Sequence, residues 1–250
     1  MTLPGAGRAN AGEMPLGRPS PAPAGYLELC NRAPQECAEP GVSASDVRIR
    51  SRQQFWYAVF DRPSGTPAST HQPAFDPAQK ALRGPSGFGR REGTVPPPYS
   101  SSARAGMPDR DAGPTDAQVR LSLTAADRQR IDALNRHFNR YIRRASDQRQ
   151  YGVDDYWATP TDLSPSGDCE DYVLAKRRGL IDLGYDPKAF SIALVVTPWG
   201  EDHAVLLMST TTGEVVLDNL SQGIVGWDQT NYRWVKRQVP GRSLEWVQIG

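Results

Sequence analysis

An α+β fold, helices first and antiparallel strands after, is predicted by three stretches of this 250-residue sequence. Residues 119–142 repeat apolar side chains at helical spacing. Residues 169–184 (CEDYVLAKRRGLIDLG) are good helix formers that close on a glycine. Three strand patterns follow, at 191–196, 203–208 and 215–217, with turn residues between them. Helical and strand patterns that segregate along a chain, rather than alternate, point away from a parallel βαβ sheet.

Taken from the start, residues 1–25 read as an extended tail rich in Pro, Gly and Ala. Residues 1–13 lack the basic and apolar regions of a signal peptide, yet Ala9-Asn10-Ala11 fits the small-x-small pattern of a cleavage site. The start is therefore expected to be internal to a longer precursor. Residues 26–60 carry Cys30 and Cys37, seven apart, in a helical turn or loop that a short disulfide would join, and then FWYAVF at 55–60, a strand or a helical turn. Cys169 stands alone. A pair plus a single cysteine is the pattern of an exported protein with one reactive thiol; the alternative is three unrelated reduced thiols in a cytosolic protein.

Between residues 61 and 117 Pro, Gly, Ser, Ala and Arg dominate, Pro96-Pro97-Pro98 included, and periodic apolar residues nearly vanish. Such a stretch buries too little surface to offset its ordering entropy, so a disordered linker is expected, with His71 solvated inside it. Folded sequence resumes at 118–250. Thr124 is placed as an N-cap with Asp127 as its capping-box partner, and Ile131, Leu134, Phe138 and Ile142 share one face. Eight Arg against three Asp between 120 and 149 make the opposite face basic. With no aromatic interleaving or binding motif, that face reads as solvated rather than nucleic-acid binding. His137 beside it reads as structural or exposed. Trp227, Tyr232, Trp234 and Trp246 are assigned to further strands in the tail.

The bulk numbers exclude two classes of partner. A formal net charge of +1 makes no electrostatic case for nucleic acid or an anionic membrane, and no apolar run is long enough to span a bilayer.

The chemistry concentrates at 167–172, Gly-Asp-Cys-Glu-Asp-Tyr. A cysteine at a helix N-terminus meets partial positive charge and free N–H groups, which lower a thiol's pKa and can hold an oxyanion. Downstream, His203 opens one strand and Asp218 ends the next. With a turn at 210–213 the two are expected to lie nearly opposite across the ladder, within hydrogen-bonding reach. Cys169, His203 and Asp218 thus read as nucleophile, base and orienting acid. The alternative is a buried cysteine and a core histidine in an ordinary α+β domain. Asp154, Asp155, Asp162, Asp168, Glu170 and Asp171 crowd the same junction. They could hold a hard cation through oxygen, or simply answer the helix dipole; they lack EF-hand spacing. Asp168 and Glu170 oppose thiolate formation unless something neutralises them.

Tyr151-Gly152, Asp155-Tyr156-Trp157, the 167–172 run, Lys176-Arg177, His203-Ala204-Val205 and Leu217-Asp218-Asn219 together resemble the bacterial transglutaminase-like cysteine proteinases over roughly residues 119–238. That family includes a calcium-dependent periplasmic protease that cleaves large surface adhesins. The resemblance implies a papain-like, transglutaminase-type core, a Cys–His–Asp triad at Cys169, His203 and Asp218, and Ca²⁺ at Asp168 and Glu170. Pro23-Ala24-Gly25-Tyr26 with the cysteine pair resembles an extension of exported members; the 61–117 linker lies outside the family core. The function implied is a cysteine endopeptidase, periplasmic or otherwise exported, acting on a surface or exported protein. Acyl transfer to an amine is the second reading, and a non-catalytic binding module on the same fold the third.

Overall fold

The computed structural model describes residues 12–39, 41–60, 118–160 and 165–249. The expected cleavage pattern at 9–11, the 61–117 linker with His71, and Asp162 lie outside them.

A seven-stranded antiparallel sheet carries the fold, in the order β1 (Pro19–Ser20), β9 (Arg242–Gln248), β8 (Arg233–Val239), β4 (Phe190–Val196), β5 (Asp202–Thr210), β6 (Gly213–Leu217) and β7 (Val225–Gly226). β5 sits inside the sheet and is buried from His203 to Thr210, and from Ala204 to Met208 its side chains are apolar on both faces. Even-numbered Ala204, Leu206 and Met208 join one core with Val173, Leu174 and Leu180 of helix α5 (Cys169–Asp182). Odd-numbered Val205 and Leu207 join a second core on the opposite face with Ala193, Val195, Val216 and Met14. The two-residue period of a strand thus serves two layers at once.

Helix α1 (Ala24–Arg32) and helix α2 (Ala44–Phe60) precede the long central helix α3 (Ala125–Tyr141). FWYAVF at 55–60, which periodicity left open, is the end of α2. At the start of α3 the Thr124 hydroxyl accepts from the Asp127 N–H at 3.1 Å, and Asp127 accepts from the Thr124 N–H at 3.0 Å. This is the capping box expected from sequence, worth about 1 kcal/mol. Helix α5 closes where Gly184 turns to φ +89°, a conformation that suits glycine.

The Cys30–Cys37 disulfide is present, tying α1 to the short 3₁₀ turn Pro34–Cys37. The described residues belong to one compact unit. Tyr26, Leu27, Leu29 and both bridged cysteines enter the same core as α5 and the sheet, and the Tyr26 ring sits edge-on to Trp157 and Trp246 at 5.2 and 5.6 Å. Residues 26–60 and 118–250, separate segments in the sequence, therefore share one interior. No helix among the described residues is long and apolar enough to cross a membrane.

Opposite α5, the sheet buries an ion pair. Arg237 of β8 is 1% exposed and Glu214 of β6 is 2% exposed. Arg237 donates to the two carboxylate oxygens of Glu214 at 2.7 and 2.6 Å and to Ser191 Oγ at 2.7 Å. The Met14 N–H donates to the same carboxylate at 2.9 Å, fastening the N-terminal segment across this face.

Candidate active site

Cys169 is the first residue of α5 and is half-buried. The preceding Gly167 pairs in parallel with Arg144 through two short strands, β2 (Arg143–Arg144) and β3 (Ser166–Gly167), which aim the chain into the helix. A Cβ at position 167 would fall 2.4 Å from Asp171 Oδ2, so glycine is what lets Asp171 fold back over the turn. There its other oxygen accepts from the Ala158 N–H at 2.8 Å.

The Cys169 thiol donates to Glu170 Oε2 at 3.2 Å. Burial pushes its pKa well above the ordinary 9.0, and the charge and hydrogen bond of Glu170, then the charge of Asp168, push the same way; the Ala204 N–H opposes them. The electrostatic conflict read from the sequence is present in the structure. β5 packs on α5 with the Ala204 N–H at the Cys169 sulfur, and His203 is the residue before Ala204.

His203 Nε2 and Asp218 Oδ1 are 2.9 Å apart, and both side chains are buried. Asp218 Oδ1 also accepts from the Leu220 N–H at 2.9 Å, and Tyr232 Oη donates to Oδ2. Burial alone would raise the Asp218 pKa. The hydrogen bond and charge of His203, with the Leu220 and Tyr232 donors, overcome it and hold the carboxylate below its ordinary value. With Nε2 committed to Asp218, Nδ1 is the ring nitrogen left for other chemistry.

The register differs from expectation in one respect. Leu206 pairs with Leu217 and Thr210 with Gly213, so the position opposite Asp218 is Val205. His203 is diagonal to Asp218, two residues beyond: the turn lies at 210–213 as expected, and from its centre His203 is two residues farther than Asp218. A diagonal pair is still within reach of an imidazole and a carboxylate.

Asp168 and Glu170, the expected cation ligands, come together with a third acid, Asp147, the first residue of the short helix α4 (Asp147–Gln150). One carboxylate oxygen from each lies within 4.8 Å of the others. Asp147 Oδ1, Asp168 Oδ1 and the adjacent Asp171 Oδ2 are buried without a hydrogen-bond partner. Burial, reinforced by the charge of Asp168, raises the pKa of Asp147 and Glu170, and that of Asp171 to about 8. Buried carboxylates left short of donors are costly, and a cation removes the cost. The donor set fits Ca²⁺: all ligands are oxygen, and at 2.3–2.6 Å per bond opposite ligands stand about 4.6–5.2 Å apart.

Other acids of the junction have other work. Asp155 accepts from the Gly25 N–H at 2.9 Å and from Trp157 Nε1 at 2.8 Å, and Asp154 is exposed. These contacts dock the loop 155–158 on α1, where Arg32 donates to the Trp157 carbonyl at 2.9 Å and stacks over Tyr156 at 3.9 Å. The same loop presents the Tyr156 N–H to Asp147. The disulfide-bound N-terminal helix thereby supports the acidic cluster. His137 is exposed on α3 and stacks on Tyr141. Asp147 and Tyr232 were not singled out from sequence: one lies in an Arg-rich stretch, the other among tail aromatics, and neither carries a local motif.

The model of one protein family, the bacterial transglutaminase-like cysteine proteinases, matches residues 107–250. Among solved structures, the chain is similar to Legionella pneumophila LapG in a calcium-bound form, at 23% identity and TM-score 0.39 over 44% of this chain and 64% of that one. It is similar to the same protein in an EGTA-treated form, at 23% identity and TM-score 0.39 over 44% and 62%. The chain thus spans under two thirds of the length of these proteins. A search of curated proteins found no match.

Proposed function

The chain belongs to the bacterial transglutaminase-like cysteine proteinases, the family whose model matches residues 107–250, and on that premise we propose that it is a cysteine endopeptidase working through Cys169, His203 and Asp218. The observation that carries this reading is the buried 2.9 Å contact between His203 Nε2 and Asp218 Oδ1. It fixes the tautomer with the proton on Nε2 and leaves the Nδ1 lone pair to take the Cys169 proton. The thiolate then attacks the peptide carbonyl carbon. Backbone N–H groups at the start of α5 hold the oxyanion, and the C–N bond breaks as His203 returns the proton to the leaving amine. Water, deprotonated by the same nitrogen, hydrolyses the thioester.

Asp147, Asp168 and Glu170 are the residues that would hold Ca²⁺, and the ion would supply positive charge beside a nucleophile now opposed by carboxylates. The substrate is assigned as an exported or surface protein, and the compartment as the periplasm or another oxidising one, in keeping with the Cys30–Cys37 bridge. Hydrolysis is favoured over acyl transfer by family membership.

A cysteine-directed peptide acyl probe tests the reading. Wild type with Ca²⁺ should label, and Cys169→Ala should not. Labelling of His203→Ala at the wild-type rate would remove the proposed base. Adding Ca²⁺ to chelated protein should raise the melting temperature, with about 2.7 kcal/mol of stabilisation at a hundredfold excess over Kd, and should speed labelling. If chelation changes neither, the cation assignment fails while the triad can stand.

A further inference from the structure

Tyr232, the residue next to the start of β8, reaches back across the sheet to the His203–Asp218 pair from the face that carries the second core. Two contacts define it. Its hydroxyl donates to Asp218 Oδ2, the oxygen that His203 does not use. Its ring meets the His203 imidazole edge-on, with centroids 5.8 Å apart and planes at 63°. Asp218 thus has both oxygens engaged, Oδ1 by His203 and the Leu220 N–H, and Oδ2 by the phenol. A carboxylate held at both oxygens cannot swing about its Cβ–Cγ bond, and its plane sets the plane of the imidazole that donates to it.

We propose that Tyr232 is a positioning residue of the catalytic centre, locking Asp218 as an ionised acceptor and shielding the His203–Asp218 hydrogen bond from water. The proposal rests on the Cys–His–Asp reading above and extends it to a fourth side chain. The phenol acts only through Asp218 and His203 and touches no reacting atom. Burial, then the Asp218 hydrogen bond and charge, hold the phenol far above its ordinary pKa of 10.0, so it stays a donor at any working pH. The ring supplies a separate effect: a hydrogen bond covered by an aromatic edge lies in a lower dielectric and is stronger than one open to solvent.

The two effects separate by substitution. Tyr232→Phe keeps the ring and removes the donor, and Tyr232→Ala removes both. On a peptide substrate, Tyr232→Phe should lower kcat by about tenfold, the scale of a lost hydrogen bond to a charged group, with KM within about twofold. Tyr232→Ala should lower kcat further. In an Asp218→Ala background Tyr232→Phe should have no additional effect, because the acceptor is gone. A residue needed only for packing would instead change the melting temperature while leaving the kcat of the folded fraction alone. A second readout is independent of turnover. The chain has three histidines, so ¹H–¹⁵N spectra of ¹⁵N-histidine protein, assigned with His203→Gln, should show a downfield His203 Nε2–H that moves upfield in Tyr232→Phe. An unmoved resonance together with a wild-type kcat overturns the positioning role. Absence of any Cys169-dependent turnover in wild type overturns the endopeptidase reading instead, and the resonance shift still decides whether Tyr232 orders the pair.

Discussion

His203→Ala should slow peptide hydrolysis by about 10³- to 10⁴-fold while changing KM little, because on the proposed mechanism it removes the base that takes the thiol proton and returns it to the leaving amine. The expectation is steep here because Cys169 starts from an unfavourable position: burial and the carboxylates of Glu170 and Asp168 hold the thiol protonated. Without a base, few molecules present a thiolate. Asp218 should behave differently according to what replaces it. Asp218→Ala leaves the Nε2–H without an acceptor and frees the other tautomer, which puts a proton on the nitrogen meant to act as base. With its carbonyl oxygen toward Nε2–H, Asp218→Asn keeps the tautomer and loses only the charge. If the Leu220 N–H holds the amide oxygen of Asp218→Asn toward Nε2, steady-state kinetics should rank wild type first, Asp218→Asn within about tenfold to a hundredfold of it, and Asp218→Ala and His203→Ala lowest; an amide turned with its NH2 to the ring reverses the tautomer and costs about 10⁴-fold instead.

The largest effect on stability is expected far from that chemistry. Arg237→Met should destabilise the fold by about 3–5 kcal/mol, because it leaves the Glu214 carboxylate buried without its partner. The double variant Arg237→Met with Glu214→Leu should recover most of the loss, since it removes the stranded charge as well. Urea denaturation of the single and double variants measures both, and a single-variant loss below about 1 kcal/mol would contradict the assignment. The pair also sets an acid dependence. Burial by itself raises the Glu214 pKa, but the hydrogen bond and charge of Arg237, with the Met14 and Ser209 donors, hold it below the ordinary 4.5. A carboxylate with a depressed folded pKa contributes stability that is full above the unfolded value. The contribution falls as pH drops below 4.5 toward the lower folded value. In the double variant this share of the acid loss should vanish. The N-terminal segment, held at Met14 by the same carboxylate, should loosen in step.

Elements whose signals are local were legible in the chain. The Thr124 and Asp127 box depends on residues three apart, and the structure makes both of its bonds. Cys169 begins α5 because a Gly-Asp pair precedes a run of helix formers, and β4, β5 and β6 follow from apolar runs with turn residues between them. The nearness of His203 and Asp218 also came from local counting, though two residues out of register, since the turn at 210–213 puts Val205, not His203, opposite Asp218. The 55–60 run was not decided locally, being too short for its period to choose between helix and strand; it ends α2.

What no local signal carried was placed by chain crossings. Asp147 joins Asp168 and Glu170 because β2 pairs with β3, bringing residues some twenty positions apart side by side, and nothing in the Arg-rich stretch around Asp147 announces a ligand. Tyr232 reaches Asp218 only because the sheet runs β8-β4-β5-β6, so the chain entering β8 passes the end of β5. The N-terminal helix with its disulfide supports the acidic loop through Gly25 and Arg32, more than a hundred residues away in sequence. The sequence by itself determined the elements and put a cysteine, a histidine and an aspartate at their ends. The tertiary structure alone decided which carboxylates share a site and which tyrosine stands behind the histidine. Periodicity and capping act within a few residues along the chain, whereas a site is assembled from whatever the packing of strands and helices brings within hydrogen-bonding distance.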